Sequence, residues 1–203
     1  MILMLNGVSS SGKSTLARAL QERWPRPLLH LGTDTVIGLL PVRYAGMQPS
    51  AREGIEFTND ADERGPVVRV RAGSIWRQLE ASFARAVRLL ADDGHDVVLD
   101  LVLFDRSCVD AWVRALHDHR TYLIGVHCDL PVLEARELAR GDRFPNLARA
   151  QQAVVHAHRR LYDLEVDTTS RAPEELAGAI VAFVGEHPSP RSMSRLHAEL
   201  LGR

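Results

Sequence analysis

The sequence predicts an α/β protein in which a parallel β-sheet is covered by helices on both faces. Short apolar segments recur along the 203 residues, segments with helical spacing lie between them, and a glycine-rich loop joins the first apolar segment to the first helix. Strands that are apolar throughout, without alternation, are typical of parallel sheets buried on both faces. The alternating order of strands and helices therefore favours a parallel sheet.

The first strand is predicted over residues 1–5, a continuous apolar run. The loop after it, Gly7-Val-Ser-Ser-Ser-Gly12-Lys13-Ser14, matches the pattern G-x-x-x-x-G-K-[ST], whose backbone N–H groups surround phosphate oxygens. Residues 14–23 then have helical spacing, so a helix N-terminus faces the same phosphates. The alternative is a glycine-rich turn that binds no ligand. Such a turn would not require a strand before it and a helix directly after it. The predicted nucleotide-binding residues are Gly7, Ser9, Ser10, Ser11, Gly12, Lys13, Ser14 and Thr15.

Lys13 is the single lysine among 25 Lys and Arg residues. A compact ammonium group bridges phosphate oxygens at this position, where a planar guanidinium is too large. The position therefore requires lysine in a chain that otherwise uses arginine, and we assign Lys13 a catalytic role toward the phosphates.

The remaining elements follow in chain order. Residues 41–71 are rich in Gly, Pro and charged residues, which predicts a long irregular insertion that covers the acceptor. Residues 188–203 begin with Pro188-Ser-Pro190, which breaks the preceding helix. They are predicted to form a tail with a short helix that packs on the domain or on the partner of a homodimer. The other predictions are strands at 28–31, 96–102, 122–128 and 164–167, and helices at 35–40, 72–92 and 173–186.

Composition excludes several classes of protein. The formal net charge of −1 argues against a nucleic-acid partner, and no apolar run is long enough to cross a membrane. Because the glycine loop begins at residue 7, no signal peptide is expected and the chain is predicted to be cytoplasmic. Cys108 and Cys128 lack metal-ligand spacing and are expected to be free thiols.

Two aspartates are candidates for chemistry. Asp100 interrupts an apolar strand expected beside the phosphate loop, where its carboxylate could hold Mg²⁺ together with the Ser14 hydroxyl; the alternative is a strand-end cap. Asp34 follows the second strand, at the sheet edge where ligands bind. It could accept the proton of a substrate hydroxyl, or it could be an ordinary helix N-cap.

An arginine cluster follows the fourth predicted strand. Arg136 and Arg140 lie four residues apart on one helix face, and Arg143 follows Gly141. Guanidinium groups on a closing lid suit the charge that develops in phosphoryl transfer. A solvated helix face paired with glutamates is the alternative. His156 and His158 lie two apart, which argues against a shared metal ion and favours surface or packing roles.

With these motifs the chain resembles the chloramphenicol 3-O-phosphotransferases, small P-loop kinases, from residue 2 to about residue 184. The more specific motifs are Gly54-Ile55-Glu56-Phe57, Ala139-Arg140-Gly141-Asp142-Arg143 and Glu165-Val166-Asp167-Thr168-Thr169, beside Leu5-Asn6-Gly7, Gly32-Thr33-Asp34 and Val154-Val155-His156.

The resemblance implies a P-loop nucleoside-triphosphate hydrolase fold of the nucleotide-kinase type, with a five-stranded parallel sheet in a kinase domain over residues 1–187. It implies ATP with Mg²⁺ and a small hydroxylated acceptor. It makes Asp34 the catalytic base and places Arg136, Arg140 and Arg143 on a lid at about 136–149. It also places Asp167 and Thr168 near the adenine.

Chloramphenicol or a related antibiotic is the acceptor that we expect, because a neutral, partly aromatic alcohol suits an apolar pocket. The predicted pocket residues are Val36, Leu40, Ile55 and Phe57, with Leu39 beside them. Two other functions stay open from the sequence: a kinase of another small alcohol metabolite, and a nucleotide-binding regulatory protein.

Overall fold

A computed structural model describes residues 1–141, 144–157 and 161–202. Two short 3₁₀ turns, Val42–Tyr44 and Pro49–Arg52, accompany its helices and strands. In chain order these are β1 (Ile2–Asn6), α1 (Lys13–Arg23), β2 (Leu28–Gly32), α2 (Thr33–Gly38), β3 (Ala45–Gly46), β4 (Ile55–Asp62), β5 (Gly65–Ala72), α3 (Ser74–Asp92), β6 (Asp96–Leu101), α4 (Arg106–Leu116), β7 (Thr121–His127), α5 (Leu130–Arg140), α6 (Leu147–Val155), β8 (Leu164–Asp167), α7 (Pro173–Glu186) and α8 (Ser192–Leu201).

The main sheet has five strands in the order β2-β6-β1-β7-β8, and every pairing in it is parallel. β1 is the central strand and is buried at every position, as expected for a nearly continuous apolar strand of a parallel sheet. Its side chains alternate between two apolar layers: Ile2 and Met4 face the layer that contains α3 and α4, whereas Leu3 and Leu5 face the layer of α1 and α7. The predicted five-stranded parallel sheet between helices is confirmed.

The carboxyl ends of these strands meet at one edge of the sheet, and the phosphate loop leaves β1 there. In the register of the sheet, Asp100 of β6 lies opposite Leu5 of β1 and opposite Gly32 of β2. This topology brings the loop, Asp100 and the start of α2 together, as expected for ligand sites in open α/β sheets.

Residues 41–71 form ordered structure, so the prediction of an irregular insertion is wrong. β4 and β5 make an antiparallel hairpin from the pair Ile55 and Ala72 to the pair Asp62 and Gly65, and β3 adds a third strand. The charged residues that suggested a loop lie mostly on the exposed tip of this hairpin, while its base is apolar and packs inward. Gly65 has φ +111°, the left-handed conformation that glycine allows where β5 begins.

The tail ends in α8, whose residues Met193 and Leu196 are buried against the domain. The hydrophobic core that they enter also contains side chains of α4. Among the described residues, the helices are too short or too polar to cross a lipid bilayer.

Candidate active site

The phosphate loop between β1 and α1 contains two glycines at positions that disfavour any other residue. A Cβ atom on Gly7 would lie 2.5 Å from the carbonyl oxygen of Val126. Gly12 has φ +87°, which L residues rarely adopt. The first turn of α1 follows directly, so its unpaired N–H groups face the loop, as an anion site requires.

Three loop and strand residues form a charged cluster at the base of the loop. Lys13 is 6% exposed, and its Nζ donates to the Val8 carbonyl oxygen at 2.8 Å and lies 3.7 Å from Asp100 Oδ1. The Ser14 hydroxyl donates to the other carboxylate oxygen of Asp100. Burial opposes ionisation of Asp100, but the charge of Lys13 and hydrogen bonds from His30 and Ser14 lower the pKa of Asp100 to about 2. Asp100 is therefore a carboxylate at neutral pH.

The cluster fits the Mg²⁺ ion that nucleotide chemistry requires. A carboxylate oxygen and a hydroxyl oxygen are the hard ligands that Mg²⁺ prefers, with water and phosphate oxygens as the others. Among the described residues, no group of three or more His, Cys, Asp or Glu side chains forms a site made of protein ligands alone. A magnesium ion here would thus depend on Ser14, Asp100 and a bound nucleotide.

Asp34 lies in the first turn of α2, beside the same pocket as Lys13 and Asp100. The helix begins at Thr33, earlier than the predicted residue 35, and Gly32 is its N-cap, so Asp34 does not cap the helix. The Thr33 hydroxyl oxygen accepts from the backbone N–H of Val102 at 3.1 Å, which fixes this turn against the end of β6. Asp34 is held where a substrate hydroxyl could reach it.

Arg136 is anchored to the loop after β8. Its guanidinium donates to the Thr168 carbonyl oxygen at 2.7 Å, to the Thr168 hydroxyl at 3.2 Å and to Cys128 Sγ at 3.3 Å. The Thr168 hydroxyl in turn donates to the Ser11 carbonyl oxygen at 2.7 Å. These bonds connect α5 with the phosphate loop through Thr168. Arg140 also borders the pocket, and Arg143 lies outside the described residues.

One pocket of about 450 Å³ joins the phosphate loop to an apolar surface. We call this surface the apolar wall; it consists of Ile37, Ile55, Phe57, Val70, Val102, Phe104 and Leu147. The lining also includes Thr168, Arg171, Pro173 and Leu176, from the segment that runs from the end of β8 into α7. The pocket is therefore large enough for a nucleotide end and a second small molecule to meet.

Most of the predicted site residues that the structure describes line this pocket, but several do not. Gly7 and Ser11 support the loop from within the fold. Asp167 is exposed and accepts from the Thr169 N–H at 2.7 Å, so it is placed away from the lining. Val36 is buried in the core, Leu40 packs against the core two residues after α2 ends, and Leu39 is 60% exposed. Ile37, one position from Val36, forms the wall instead.

Several lining residues gave no sequence signal. Val70, Val102, Phe104 and Leu147 are apolar residues whose patterns read as core, and Gln151 is an unremarkable helix residue. Only the position of each in the fold distinguishes it from a packing residue. His156, predicted as a surface or packing residue, contacts the Tyr162 hydroxyl at 2.8 Å and the ring of His127 at 4.2 Å, whereas His158 lies outside the described residues.

Comparison with known proteins decides the family. The model of the family described as chloramphenicol phosphotransferase-like proteins matches residues 1–185. The chain belongs to this family. Two Mycobacterium tuberculosis proteins, from strains CDC 1551 and H37Rv and each named "Putative O-phosphotransferase", are 30% identical to it over 201 residues, which cover 98% of this chain and 89% of theirs. The family resemblance and the phosphotransferase class predicted from the sequence are confirmed.

Solved structures confirm the P-loop kinase fold. A sugar kinase from Janibacter sp. superposes with a TM-score of 0.63 at 17% identity, covering 91% of this chain and 94% of its own. The M. tuberculosis APS kinase in complex with AMPPNP and APS gives 0.61 at 15% identity, with coverage of 91% and 96%. Shikimate kinase from Acinetobacter baumannii in complex with shikimate gives 0.59 at 13%, with coverage of 92% and 93%. At these identities the likeness concerns the fold.

Proposed function

We propose that this phosphotransferase moves the γ-phosphoryl group of ATP, with Mg²⁺, to a hydroxyl group of a neutral, largely apolar small molecule such as chloramphenicol. The observation that carries the proposal is the single pocket in which the phosphate loop, Asp34 and the apolar wall face one another. Nucleotide and acceptor can meet there without a large rearrangement. Because ATP is the donor, we place the reaction in the cytoplasm.

The nucleotide half of the reaction rests on positioning and charge. The loop N–H groups and the N-terminus of α1 bind the phosphates, and Lys13 supplies a positive charge that stabilises the transferring group. Ser14 and Asp100 would hold Mg²⁺, which offsets charge on the β- and γ-oxygens when bound. Arg136 and Arg140 add positive charge at the pocket margin. These groups stabilise a transition state whose charge is spread over the phosphoryl oxygens.

The acceptor half of the reaction rests on Asp34. Its carboxylate accepts the proton of the acceptor hydroxyl while the hydroxyl oxygen attacks the γ-phosphorus. The bond from the γ-phosphorus to the bridging oxygen breaks, and ADP leaves with that electron pair. The products are ADP, the phosphate monoester of the acceptor and a proton on Asp34 that passes to water.

The apolar wall favours a neutral acceptor. Its seven residues are all apolar, so a charged acceptor group placed against them would lose hydration without gaining a partner. Phe57 also packs on Phe144 with ring centroids 4.6 Å apart, which gives the wall an aromatic end. A partly aromatic alcohol gains contact area there, and chloramphenicol has both an aromatic ring and a primary hydroxyl.

The test is direct. Purified protein with Mg·ATP is incubated with chloramphenicol and with a panel of other alcohols, sugars and shikimate, and products are read by mass spectrometry for the gain of one phosphoryl group. We expect a phosphorylated chloramphenicol in stoichiometry with ADP. Phosphorylation of a polar polyol alone would leave the kinase assignment intact and would refute the acceptor class, whereas ADP without any phosphorylated product would refute transfer to a small molecule.

The metal assignment has its own test. Asp100→Asn removes the carboxylate charge at the proposed magnesium site, so we expect a higher Mg²⁺ concentration for half-maximal rate. The Mg²⁺ dependence of initial rates measures this shift. An unchanged dependence would remove Asp100 from the metal site.

A further inference from the structure

Gln151 connects the phosphate loop to the apolar wall and is not among the residues that the proposed reaction uses. It lies on α6, is 5% exposed, and borders the pocket. Its side-chain oxygen Oε1 accepts the backbone N–H of Ser9 at 2.7 Å. A loop N–H that belongs to the phosphate-binding segment is therefore held by a side chain from a distant helix.

This bond determines how the carboxamide is oriented. A backbone N–H can pair only with an acceptor, so the atom that faces Ser9 must be oxygen, and the NH₂ group must face the other way. Among the described residues, none accepts a hydrogen bond from Gln151 Nε2. Since Gln151 borders the pocket, the NH₂ group has the pocket as its environment.

The surroundings of this NH₂ group define what it could recognise. Leu147, one helical turn earlier on the same face of α6, belongs to the apolar wall. The carboxylate of Asp34, which borders the same pocket, offers only hydrogen-bond acceptors. Gln151 thus brings a neutral N–H donor next to an apolar surface, where a hydrogen bond is worth more than in water.

We propose that Gln151 is a specificity-determining residue: its NH₂ group donates to a second oxygen of the acceptor, close to the hydroxyl that is phosphorylated. The inference rests on the proposed function and narrows its substrate class to apolar alcohols that carry a second oxygen near the reacting hydroxyl. The bond from Ser9 fixes the carboxamide before the acceptor binds, so little side-chain entropy is lost on binding.

A purely structural role is the alternative. Asn6, which precedes the loop, donates to the Val155 carbonyl oxygen at 2.8 Å, so the two ends of the segment Asn6–Ser9 are both bonded to α6. If Gln151 only supported the loop, its loss would impair the use of ATP and would affect all acceptors equally. A comparison of two acceptors separates the roles.

The experiment uses 1-phenylpropane-1,3-diol and 3-phenylpropan-1-ol, which differ by one oxygen, with chloramphenicol as reference. Steady-state kcat/KM is measured for the full-length wild type, for Gln151→Met, which keeps the volume and loses both polar atoms, and for Gln151→Glu, which keeps an oxygen for Ser9 but cannot donate when ionised. Gln152→Met, at the partly exposed neighbouring position, is the matched control.

We expect the wild type and the Gln152→Met control to prefer the diol by about 10-fold or more, the worth of one such hydrogen bond. Both Gln151 variants should lose this preference, and in Gln151→Glu, which keeps an acceptor for the Ser9 N–H, the loss should come from slower turnover of the diol alone. A preference that survives in either Gln151 variant, or that is absent in the wild type, would overturn the inference. Wild-type protein that phosphorylates none of the three alcohols would instead overturn the proposed acceptor class and the inference with it.

Discussion

Arg149 on α6 forms an ion pair with Asp62 at the end of β4, with Nε 2.9 Å from the carboxylate oxygen. The same guanidinium donates to the carbonyl oxygen of Pro66 at 3.0 Å, and the Asn146 side chain donates to that oxygen as well. With only 10% of its side chain exposed, Arg149 is largely shielded from solvent. The hairpin that contributes much of the apolar wall is thus held by the helix that carries Gln151.

We predict that Arg149→Ala raises the KM for the acceptor by about 3–10-fold and leaves the KM for ATP within about twofold. The hairpin loses a partly buried ion pair and the hydrogen bonds that Arg149 donates to the carbonyl oxygens of Gly65 and Pro66. Initial-rate kinetics with each substrate varied in turn measure this. Arg64→Ala is the control, since Arg64 is 56% exposed and its pair with Glu134 is 3.5 Å long. Equal effects of both variants would argue against a coupling role for Arg149.

Asp34→Asn should lower kcat by about 10²–10⁴, the usual contribution of a positioned general base, and should change ATP affinity little. The amide keeps the size of the side chain but cannot take up the proton. Single-turnover rates and nucleotide titration separate the two effects. Asp93→Asn, an exposed aspartate at the end of α3, is the matched control. A variant that lost ATP affinity but kept its maximal rate would show that Asp34 supports the nucleotide.

Lys13 offers a chemical test because no other residue in the sequence carries a side-chain amine of this kind. Amine-directed modification should abolish transfer, and Mg·ATP should protect the enzyme by covering Nζ. Because Lys13 is almost fully buried, the unprotected reaction should itself be slow. Peptide mapping of the modified lysine against residual activity measures this. Full activity in protein modified at Lys13 would contradict its role in phosphoryl transfer.

Asp96 should contribute to stability in a pH-dependent way. Although burial raises its pKa, hydrogen bonds from groups such as Trp24 and Arg26 hold the pKa of Asp96 below its usual value. Because the folded-state pKa is the lower one, the stabilisation is complete above the unfolded-state pKa of about 3.9 and is lost as the pH falls through the folded-state pKa.

Accordingly, Asp96→Asn should reduce the free energy of unfolding by about 1–3 kcal/mol at pH 7, and by less near pH 2. Urea denaturation at both pH values gives these numbers. The control, Asp118→Asn, breaks a pair with Arg88 in which Asp118 is 48% exposed, and it should cost at most about 1 kcal/mol. A pH-independent effect of Asp96→Asn would mean that packing, not charge, is responsible.

The sequence predicted the main sheet and the nucleotide side of the pocket because both follow local rules. Apolar strands, the glycine loop and the helix after it each have a recognisable pattern, and parallel strands necessarily bring Asp100 to the loop. The acceptor side follows no such rule. Val36 and Ile37 are adjacent apolar residues of one short helix, and only the packing of that helix decides that Val36 enters the core while Ile37 lines the pocket.

Tertiary pairing explains the other differences. The hairpin of β4 and β5 is a long-range antiparallel pairing whose charged tip resembles a loop in composition. Gln151 can accept a hydrogen bond from the phosphate loop only because α6 passes beside Ser9, which lies 142 residues earlier in the chain. Contacts of this kind leave no periodicity in the sequence.

The division of the fold into two sheets has an evolutionary consequence. The phosphate loop and Asp100 belong to the parallel sheet, whereas Ile55, Phe57 and Val70 belong to the separate sheet of β3, β4 and β5. Substitutions in the smaller sheet can therefore reshape the acceptor site while the phosphoryl-transfer apparatus stays intact. On this plan, a change of acceptor requires no change in the strands that carry the phosphate loop and Asp100.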